Sequence, residues 1–403
     1  MPRNRLEGAR GAGVFALAVL TCLCACKEDS KPDPGNTPPA ETVRKELLAA
    51  VGSCEQSRSK AFQATAVELE TATAALAAAP DTANRDAARA AFHRAMDAWQ
   101  EIDAMQVGPT LPRSQPGGAE LRDNIYSWPL VSRCAVEEQI VARGYESQDF
   151  PAMLVSRRGL YAVEFLLFYE GTDTACAPSS PIVAGGTWAA LPVEERQARK
   201  RAYAAAAAKA VRARADQLAD AWDPGKGNFG ATLASPGTGN AIYPSVQMAL
   251  NSVSDGLFYL DSEMKDRKLA RPLGLRECDS ESCPELLESI YAGRSKANLR
   301  NNLVGFRRIV EGCGEGFSGR GFDDLLEAVG SDSLAQALRS RLVAADAALN
   351  AIEEQDLAQA LVQDKASVRA LYDSLKGVTD LLKTDFVTVL DLELPQTVEG
   401  DND

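Results

Sequence analysis

The sequence predicts an all-α protein made of two helical-bundle halves packed together. Alanine and leucine are abundant, and aromatic residues make up only 6% of the 403 residues. Apolar residues recur at helical spacing over long stretches, whereas the alternating β-branched runs that mark strands are nearly absent. A segment rich in Gly, Pro and Thr at residues 224–239 separates the halves, which we place at 41–225 and 240–395.

Residues 1–26 have the order of a bacterial lipoprotein signal peptide. Arginines at positions 3, 5 and 10 precede an apolar run from Val14 to Leu23, and small Ala25 precedes Cys26. The run is about half of the roughly 20 residues that a membrane-spanning helix needs. We expect a lipid on Cys26 to anchor the chain to a membrane of the cell envelope, on the periplasmic side or the outer surface. An ordinary secretory peptide cleaved after an alanine is the alternative.

Two further segments are expected to lack a packed core. Residues 27–40 are charged and contain four prolines, which predicts a flexible tether between the anchor and the folded body. Residues 396–403 form an acidic tail that we expect to be disordered and solvated.

The N-terminal half begins with a long helix predicted at 41–78, which Pro80 ends. Asp81 is placed to cap a second helix that reaches residue 106 and buries an apolar face containing Trp99. The remaining helices of this half are predicted at 120–127, 130–142, 151–169 and 192–222. The C-terminal half has the same helical style, with helices predicted at 244–268, 294–311, 323–329, 332–355 and 357–390.

Charge and histidine content exclude several function classes. The net charge of −13 leaves no basic stripe for a phosphate backbone, so a nucleic acid is not an expected partner. The acidic surface could favour cations or could simply provide solubility. The chain contains a single histidine, His93, so neither an HExxH zinc site nor a conventional Ser-His-Asp triad is expected. Its spacing from Asp97 favours an exposed or satisfied helix residue over a metal ligand.

Six cysteines lie beyond Cys26, an even number that makes disulfides plausible in an exported chain. Cys278 and Cys283 are close enough in sequence to form a local pair. The other four permit several connectivities: Cys54, Cys134, Cys176 and Cys313.

Glu164 lies in the most informative helix, with apolar residues on both sides at 160–163 and 165–168. A helix that is apolar all round is expected in the interior of the protein. A carboxylate in its middle must be paired, protonated or bound to a cation, because an isolated buried charge costs several kcal/mol. Glu164 is therefore a candidate site residue.

Tyr161 lies three residues before Glu164, on the same face of the helix, and Gly159 allows another backbone to approach. Both side chains could bind one ligand. Alternatively, the Tyr161 hydroxyl is bonded to Glu164 or to a neighbouring helix, or Arg157 or Arg158 neutralises Glu164.

Gly159, Tyr161 and Glu164 resemble the Gly-x-His-x-x-Glu motif of the imelysin family, with Tyr161 at the position of the histidine. Further segments resemble the family in the expected order: Trp99, Gly108 with Pro109, 122–129, 249–274 and 288–306. The resemblance implies two helical bundles with the motif near their interface, export, and lipid anchoring in many members. Some relatives are insulin-cleaving metallopeptidases, and others are tied to iron uptake.

The tyrosine at position 161 departs from this motif and removes a nitrogen ligand. Peptidase chemistry needs a metal with an open position, usually held by two or three His or carboxylate ligands. A phenolate with a carboxylate would suit ferric iron better than zinc, and loss of metal binding is the competing interpretation. Asp123 is a further candidate ligand. We expect Arg122, Gly159, Trp128 and Ser295 to support the site.

Alternative roles remain open for three of these residues. Arg122 and Asp123 could form an ordinary surface turn of a helix, or Arg122 could be the counter-ion of Glu164. Ser295 could cap the helix that follows it.

Three functional hypotheses follow for this chain. The first is a non-catalytic, envelope-anchored binding protein that serves metal or iron acquisition, with envelope proteins as possible partners. The second is a metallopeptidase with an unrecognised ligand set. The third is a structural envelope lipoprotein whose site has decayed. A polar, accessible pocket beside Tyr161 and Glu164 would favour the first.

Overall fold

The computed structural model describes residues 39–395, and these fold as helices without a β-strand. The signal peptide, Cys26, most of the tether and the acidic tail lie outside the described residues. The α-helices of the described part are, in chain order, α1 (Ala40–Ala78), α2 (Thr82–Asp103), α3 (Leu121–Ile125), α4 (Arg133–Ala142), α5 (Gly159–Phe168), α6 (Pro181–Ala184), α7 (Thr187–Ala190), α8 (Val193–Trp222), α9 (Phe229–Ala234), α10 (Val246–Leu257), α11 (Ser295–Val310), α12 (Phe322–Ala328), α13 (Asp332–Ala351), α14 (Leu357–Gln363), α15 (Lys365–Leu381) and α16 (Val387–Leu390).

Two segments adopt the wider π-helical conformation: Leu260–Ala270, which follows α10, and Leu382–Phe386, which joins α15 to α16. Six single turns of 3-10 helix connect the longer elements: Gly108–Thr110, Gly144–Glu146, Phe150–Ala152, Val155–Arg157, Pro284–Leu286 and Glu315–Phe317. No helix within residues 39–395 is long and apolar enough to cross a membrane.

Local signals set several helix ends. The Asp81 carboxylate accepts a hydrogen bond of 2.7 Å from the backbone N–H of Asn84, which confirms the predicted cap of α2. The helix predicted at 151–169 begins only at Gly159, because the chain before it forms two 3-10 turns. Gly159 has a φ of +81°, and a Cβ there would lie 2.7 Å from the carbonyl oxygen of Ile125. Glycine is therefore needed at this tight entry into α5, as the predicted close approach requires.

α1 is the central element of the fold. It packs against α2, α8 and α9, and also against α10 and α12 from the predicted C-terminal half. α2 packs against α11, so helices of both predicted halves share one continuous apolar core. The division into halves at 41–225 and 240–395 stays a prediction.

Three disulfides cross-link the described residues. Cys278 and Cys283 form the predicted local pair. Cys134 pairs with Cys176, and Cys54 of α1 pairs with Cys313, which follows α11. The last of these joins the two predicted halves covalently.

Candidate functional site

Glu164 lies on α5, where its side chain is fully buried, as the apolar sequence around it predicts. Its carboxylate accepts three hydrogen bonds from one segment, residues 289–292. The Ser289 hydroxyl donates to Oε2 at 3.0 Å, and the backbone N–H groups of Tyr291 and Ala292 donate to Oε1 at 3.1 Å each. Glu164 therefore binds α5 to a segment more than 120 residues away in sequence.

The hydroxyl of Ser289 is oriented by a second hydrogen bond. The side-chain amide of Asn298 donates a hydrogen bond to Ser289 Oγ at 3.1 Å. The Ser289 hydroxyl therefore accepts from Asn298 and donates its own hydrogen bond to Glu164. Arg294 in turn donates to the Asn298 oxygen at 2.8 Å. This chain of donors fixes the geometry around the Glu164 carboxylate.

Burial raises the pKa of Glu164 to about 7. The donors Ala292, Ser289 and Tyr291 favour the charged form and oppose this rise, whereas the carboxylate of Glu288 adds to it. Near neutral pH the side chain is consequently divided between its ionised and protonated forms.

None of the arginines proposed as counter-ions neutralises Glu164, so those predictions were wrong. Arg122 instead bonds to the carboxylates of Asp103 at 3.1 Å and Asp123 at 3.0 Å. Arg158 donates to the backbone oxygens of Met153 and Asn124 and to the Asn124 side chain. Arg157 approaches Glu138 at 3.8 Å. The partners of the Glu164 carboxylate are instead two backbone N–H groups and a hydroxyl. The sequence analysis did not consider donors of this kind.

Tyr161 is half-buried on α5 and belongs to an aromatic cluster with Phe165, Tyr169 and Tyr291. The Tyr291 ring lies 6.2 Å from Tyr161, 5.3 Å from Phe165 and 5.5 Å from Tyr169, measured between ring centroids. Burial raises the pKa of Tyr161, and the neighbouring Tyr291 and Glu164 raise it further. The phenol therefore keeps its proton at neutral pH.

A buried polar network missed by the sequence analysis lies beside this site. The Glu288 carboxylate accepts from the Gln100 amide at 2.9 Å and lies 3.0 Å from the ammonium group of Lys268. Lys268 also donates to Gln100 at 3.0 Å and to Asn302 at 2.6 Å. The predicted supporting residue Trp128 contacts this network, since its ring centroid lies 5.9 Å from Lys268 Nζ. Gln100, Lys268 and Glu288 are single polar residues in separate parts of the chain. Their positions follow no sequence periodicity that would predict the network.

The Tyr126 hydroxyl is fully buried. Burial raises the pKa of Tyr126, and the charges of Glu288 and Glu164 raise it further. The charge of Glu288, from the Lys268 network, and the charge of Glu164 therefore both act on Tyr126. Tyr126 belongs to segment 122–129, which resembles the imelysin family.

Ser295 does not cap α11, so that alternative was wrong. Its hydroxyl donates to the backbone oxygen of Glu288, and α11 begins at Ser295 itself. Ser295 instead stabilises the turn that carries Ser289 and Glu288. The Asp123 carboxylate pairs with Arg122, and its side chain is still 40% exposed. Its role as a ligand stays a prediction.

His93 is a half-buried residue with satisfied hydrogen bonding. Its Nδ1 lies 2.8 Å from one guanidinium nitrogen of Arg294. Another nitrogen of the same guanidinium pairs with Asp97 at 2.6 Å. Burial lowers the pKa of His93, and the charge of Arg294 lowers it further. A guanidinium at this distance from Nδ1 opposes a metal cation there.

The pair Tyr161 and Glu164 does not fit a ferric ion as it stands. Both carboxylate oxygens of Glu164 already accept hydrogen bonds, and Tyr161 is a neutral phenol. A second group of possible ligands comprises Cys134, Glu138 and Cys176. Its two sulfurs form a disulfide, so they offer no thiolate.

A cavity of about 390 Å³ lies at the C-terminal end of α5. Leu166, Leu167, Tyr169 and Glu170 line it from α5 and its end, and Arg85, Arg89 and Arg201 line it from α2 and α8. Arg89 is held by Glu170 at 2.7 Å and lies 5.2 Å from the Phe168 ring. Tyr169 is the member of the aromatic cluster that lines this cavity, whereas neither Tyr161 nor Glu164 lines it.

The chain is similar to a family model, to a curated protein and to two solved structures. A family model described as imelysin matches residues 56–384. Iron-regulated protein A of Synechococcus elongatus is 24% identical over 249 residues, which are 61% of this chain and 58% of that protein. The chain thus spans less than two thirds of this curated relative.

Two solved structures share the fold. An imelysin-like protein from Psychrobacter arcticum has a TM-score of 0.66 at 18% identity, over 89% of this chain and 98% of that one. A structure from Parabacteroides distasonis, described as an iron-regulated protein A precursor, has a TM-score of 0.67 at 15% identity, over 88% and 97% of the two chains.

Proposed function

The chain belongs to the imelysin family, and on this premise we propose that it is a non-catalytic binding protein of the cell envelope that serves iron acquisition. The lipoprotein-like order of residues 1–26 supports an envelope location with a lipid anchor on Cys26 and envelope proteins as partners. The name of its Synechococcus elongatus relative, iron-regulated protein A, supports the link to iron.

The observation that carries this proposal is the arginine-rich lining of the cavity at the end of α5, because Glu164 itself has a saturated carboxylate. Three donors from 289–292 occupy it, so Glu164 acts as a positioning residue rather than a metal ligand. It fixes the segment that carries Tyr291 against α5. Tyr291 contacts the rings of Tyr161 and Tyr169 there, and Tyr169 lines the same cavity as Arg89.

The ligand of this cavity is proposed to be an anionic ferric chelate rather than bare iron. Three arginines line the cavity against two carboxylates, Asp81 and Glu170, so its lining carries a positive balance in an acidic protein. Tyr169 supplies an aromatic surface there, and its ring lies 4.0 Å below the guanidinium of Arg133. Cationic and aromatic groups together suit an anionic, partly apolar complex.

Titration of the purified protein with ferric citrate, followed by calorimetry, tests this function. Arg89→Gln should weaken binding by about tenfold, because a charge-assisted contact is lost. Arg369→Gln is the matched control, since Arg369 pairs with Asp373 one helical turn away on the exposed face of α15. The absence of ferric citrate binding, or an equal loss in both variants, would contradict the proposal.

The saturation of Glu164 also favours a second candidate, a structural envelope lipoprotein whose ancestral site has become part of the packing. In that case Glu164→Gln should lower stability while no ferric chelate binds to either form. A metallopeptidase of imelysin type would need ligands other than the pair Tyr161 and Glu164.

A further inference from the structure

A second cavity, of about 440 Å³, lies where the loop before α3 meets the C-terminal end of α8. Its volume falls within the range of small-molecule sites. It is separate in its lining from the cavity at the end of α5 and shares no residue with it. The residues that line it are Pro109, Arg113, Gly117, Ala119, Leu121, Asn124, Arg214, Gln217, Ala221, Gly227 and Phe229.

The apolar wall of this cavity is fixed by the ring of Phe229. Two glycines with positive φ contact the ring, and a Cβ would lie 2.2 Å from it at Gly108 and 2.4 Å from it at Gly117. Phe229 also packs edge-on against Trp222, with 5.1 Å between ring centroids. The backbone at both glycines thus packs closely on the Phe229 ring, which forms part of the cavity wall.

Two guanidinium groups have no carboxylate partner within residues 39–395: that of Arg214, which lines this cavity, and that of Arg158, which bonds to the lining residue Asn124. Arg214 donates to the Gln217 side chain at 2.9 Å and to the backbone oxygen of Pro151 at 3.1 Å. Behind it, Arg158 is only 5% exposed and donates to Asn124 and to the backbone oxygen of Met153. Neutral acceptors thus hold both cations, and two of these acceptors are backbone oxygens of the short segment 151–153.

The charges of these two arginines act on each other. Burial lowers the pKa of Arg158, and the positive charge of Arg214 lowers it further. A buried cation without a counter-ion is costly. Arg113, which also lines the cavity, is paired with Glu120 at 2.9 Å, so this ion pair contributes no net charge. In a protein with a net charge of −13, this local excess of positive charge indicates a place for an anion.

We propose that this cavity binds a small organic carboxylate, with the anionic group at Arg214 and the apolar part against the ring of Phe229. Guanidinium groups match the geometry of carboxylates. Asn124 lines the cavity and accepts a hydrogen bond of 2.7 Å from Arg158, so the positive charge of Arg158 lies next to the lining. The apolar wall distinguishes such a ligand from an inorganic anion.

Calorimetric titration of the purified protein with benzoate and hexanoate tests the site. At least one of these carboxylates should bind saturably, whereas benzamide, which lacks the charge, and inorganic phosphate, which lacks the apolar part, should bind at least about tenfold more weakly. Lack of saturable binding by both carboxylates would overturn the proposal. Equal binding of benzamide or of phosphate would overturn it as well.

Two variants locate the binding. Arg214→Gln should raise the dissociation constant of the bound carboxylate by about tenfold or more, and Ala221→Leu should block the cavity while keeping the charge. Lys209→Gln, an exposed position on the same helix, is the control that removes one positive charge elsewhere. Thermal unfolding verifies that each variant is folded. An unchanged affinity in both Arg214→Gln and Ala221→Leu, or an equal loss in Lys209→Gln, places the ligand elsewhere.

Discussion

Glu55 on α1 and Glu164 on α5 are both fully buried glutamates, and their surroundings differ completely. Glu164 accepts three hydrogen bonds, whereas neither carboxylate oxygen of Glu55 has a hydrogen-bond partner among the described residues. Burial raises the pKa of Glu164 to about 7, and it raises the pKa of Glu55 well above the ordinary value without any opposing donor. The donors, rather than the depth of burial, decide whether a buried acid can ionise near neutral pH.

The two glutamates therefore have opposite effects on the fold. Glu164 links α5 to the segment 289–292, so its carboxylate is part of the structure. Glu55 is buried without a hydrogen-bond partner among the described residues, so the burial of its carboxyl group opposes folding.

The largest expected effect is that of Glu164→Leu. This change leaves the Ser289 hydroxyl and the N–H groups of Tyr291 and Ala292 without an acceptor, and each orphaned donor costs about 1–3 kcal/mol. The free energy of unfolding should fall by about 4 kcal/mol, measured by urea denaturation. A loss below about 1 kcal/mol would show that the three hydrogen bonds do not hold the segment in place.

Both buried glutamates make the stability of the protein depend on pH. A carboxyl with a raised pKa binds its proton more tightly in the folded state, so stability falls as pH rises above the unfolded value of about 4.5. For Glu164 the fall should level off near pH 7 and amount to about 3 kcal/mol. For Glu55 stability should likewise fall as pH rises above its unfolded value, because burial raises the pKa of Glu55 well above the ordinary range and no donor opposes the rise.

Urea midpoints between pH 4 and 9 measure these contributions. Glu164→Gln should flatten the profile only below about pH 7, and Glu55→Gln should reduce the slope that remains in Glu164→Gln. A profile that either substitution left unchanged would contradict this account.

Replacing Glu55 by methionine should raise the free energy of unfolding at neutral pH by about 2 kcal/mol. Methionine has a similar volume and removes the buried carboxyl group, whereas Glu55→Gln keeps an unsatisfied polar group and should change stability little. Thermal melting of both variants provides the measurement. Destabilisation by Glu55→Met would mean that the Glu55 carboxyl makes interactions that favour folding.

A pair of buried serines repeats the comparison on a smaller scale. Ser289→Ala removes a donor to Glu164 and an acceptor for Asn298, and it should cost about 1 kcal/mol. It should also move the Glu164 step of the pH profile upward, because the Ser289 hydroxyl favours the charged form. Ser254→Ala is the control, since the Ser254 hydroxyl is buried without a partner. Equal effects of the two changes on stability and on the pH profile would contradict the role of Ser289.

Sequence reasoning succeeded where the signal was local. The apolar neighbours of Glu164 predicted its burial, Asp81 predicted the cap of α2, and the glycine at 159 predicted a close backbone approach, which occurs at Ile125. The all-α fold class followed from helical periodicity in the same way, and it is confirmed.

Partners far apart in the chain were not predictable. Arginines near Glu164 in sequence were natural candidates for its counter-ion, yet its partners lie at 289–292. Gln100, Lys268 and Glu288 meet from three separate elements, and none of them interrupts a sequence pattern enough to reveal the network. Glu55 follows Val51 by four residues, on the buried stripe of α1, but that spacing does not reveal whether it has a donor.

The sequence by itself determined which segments are helical and which of their faces are buried, because backbone hydrogen bonds and side-chain periodicity act over a few residues. The tertiary structure alone decided that Glu164 receives three donors and Glu55 receives none. Those donors belong to a turn whose position depends on the packing of α5, α2 and α11, and the pKa of a buried acid depends on the groups that packing brings to it.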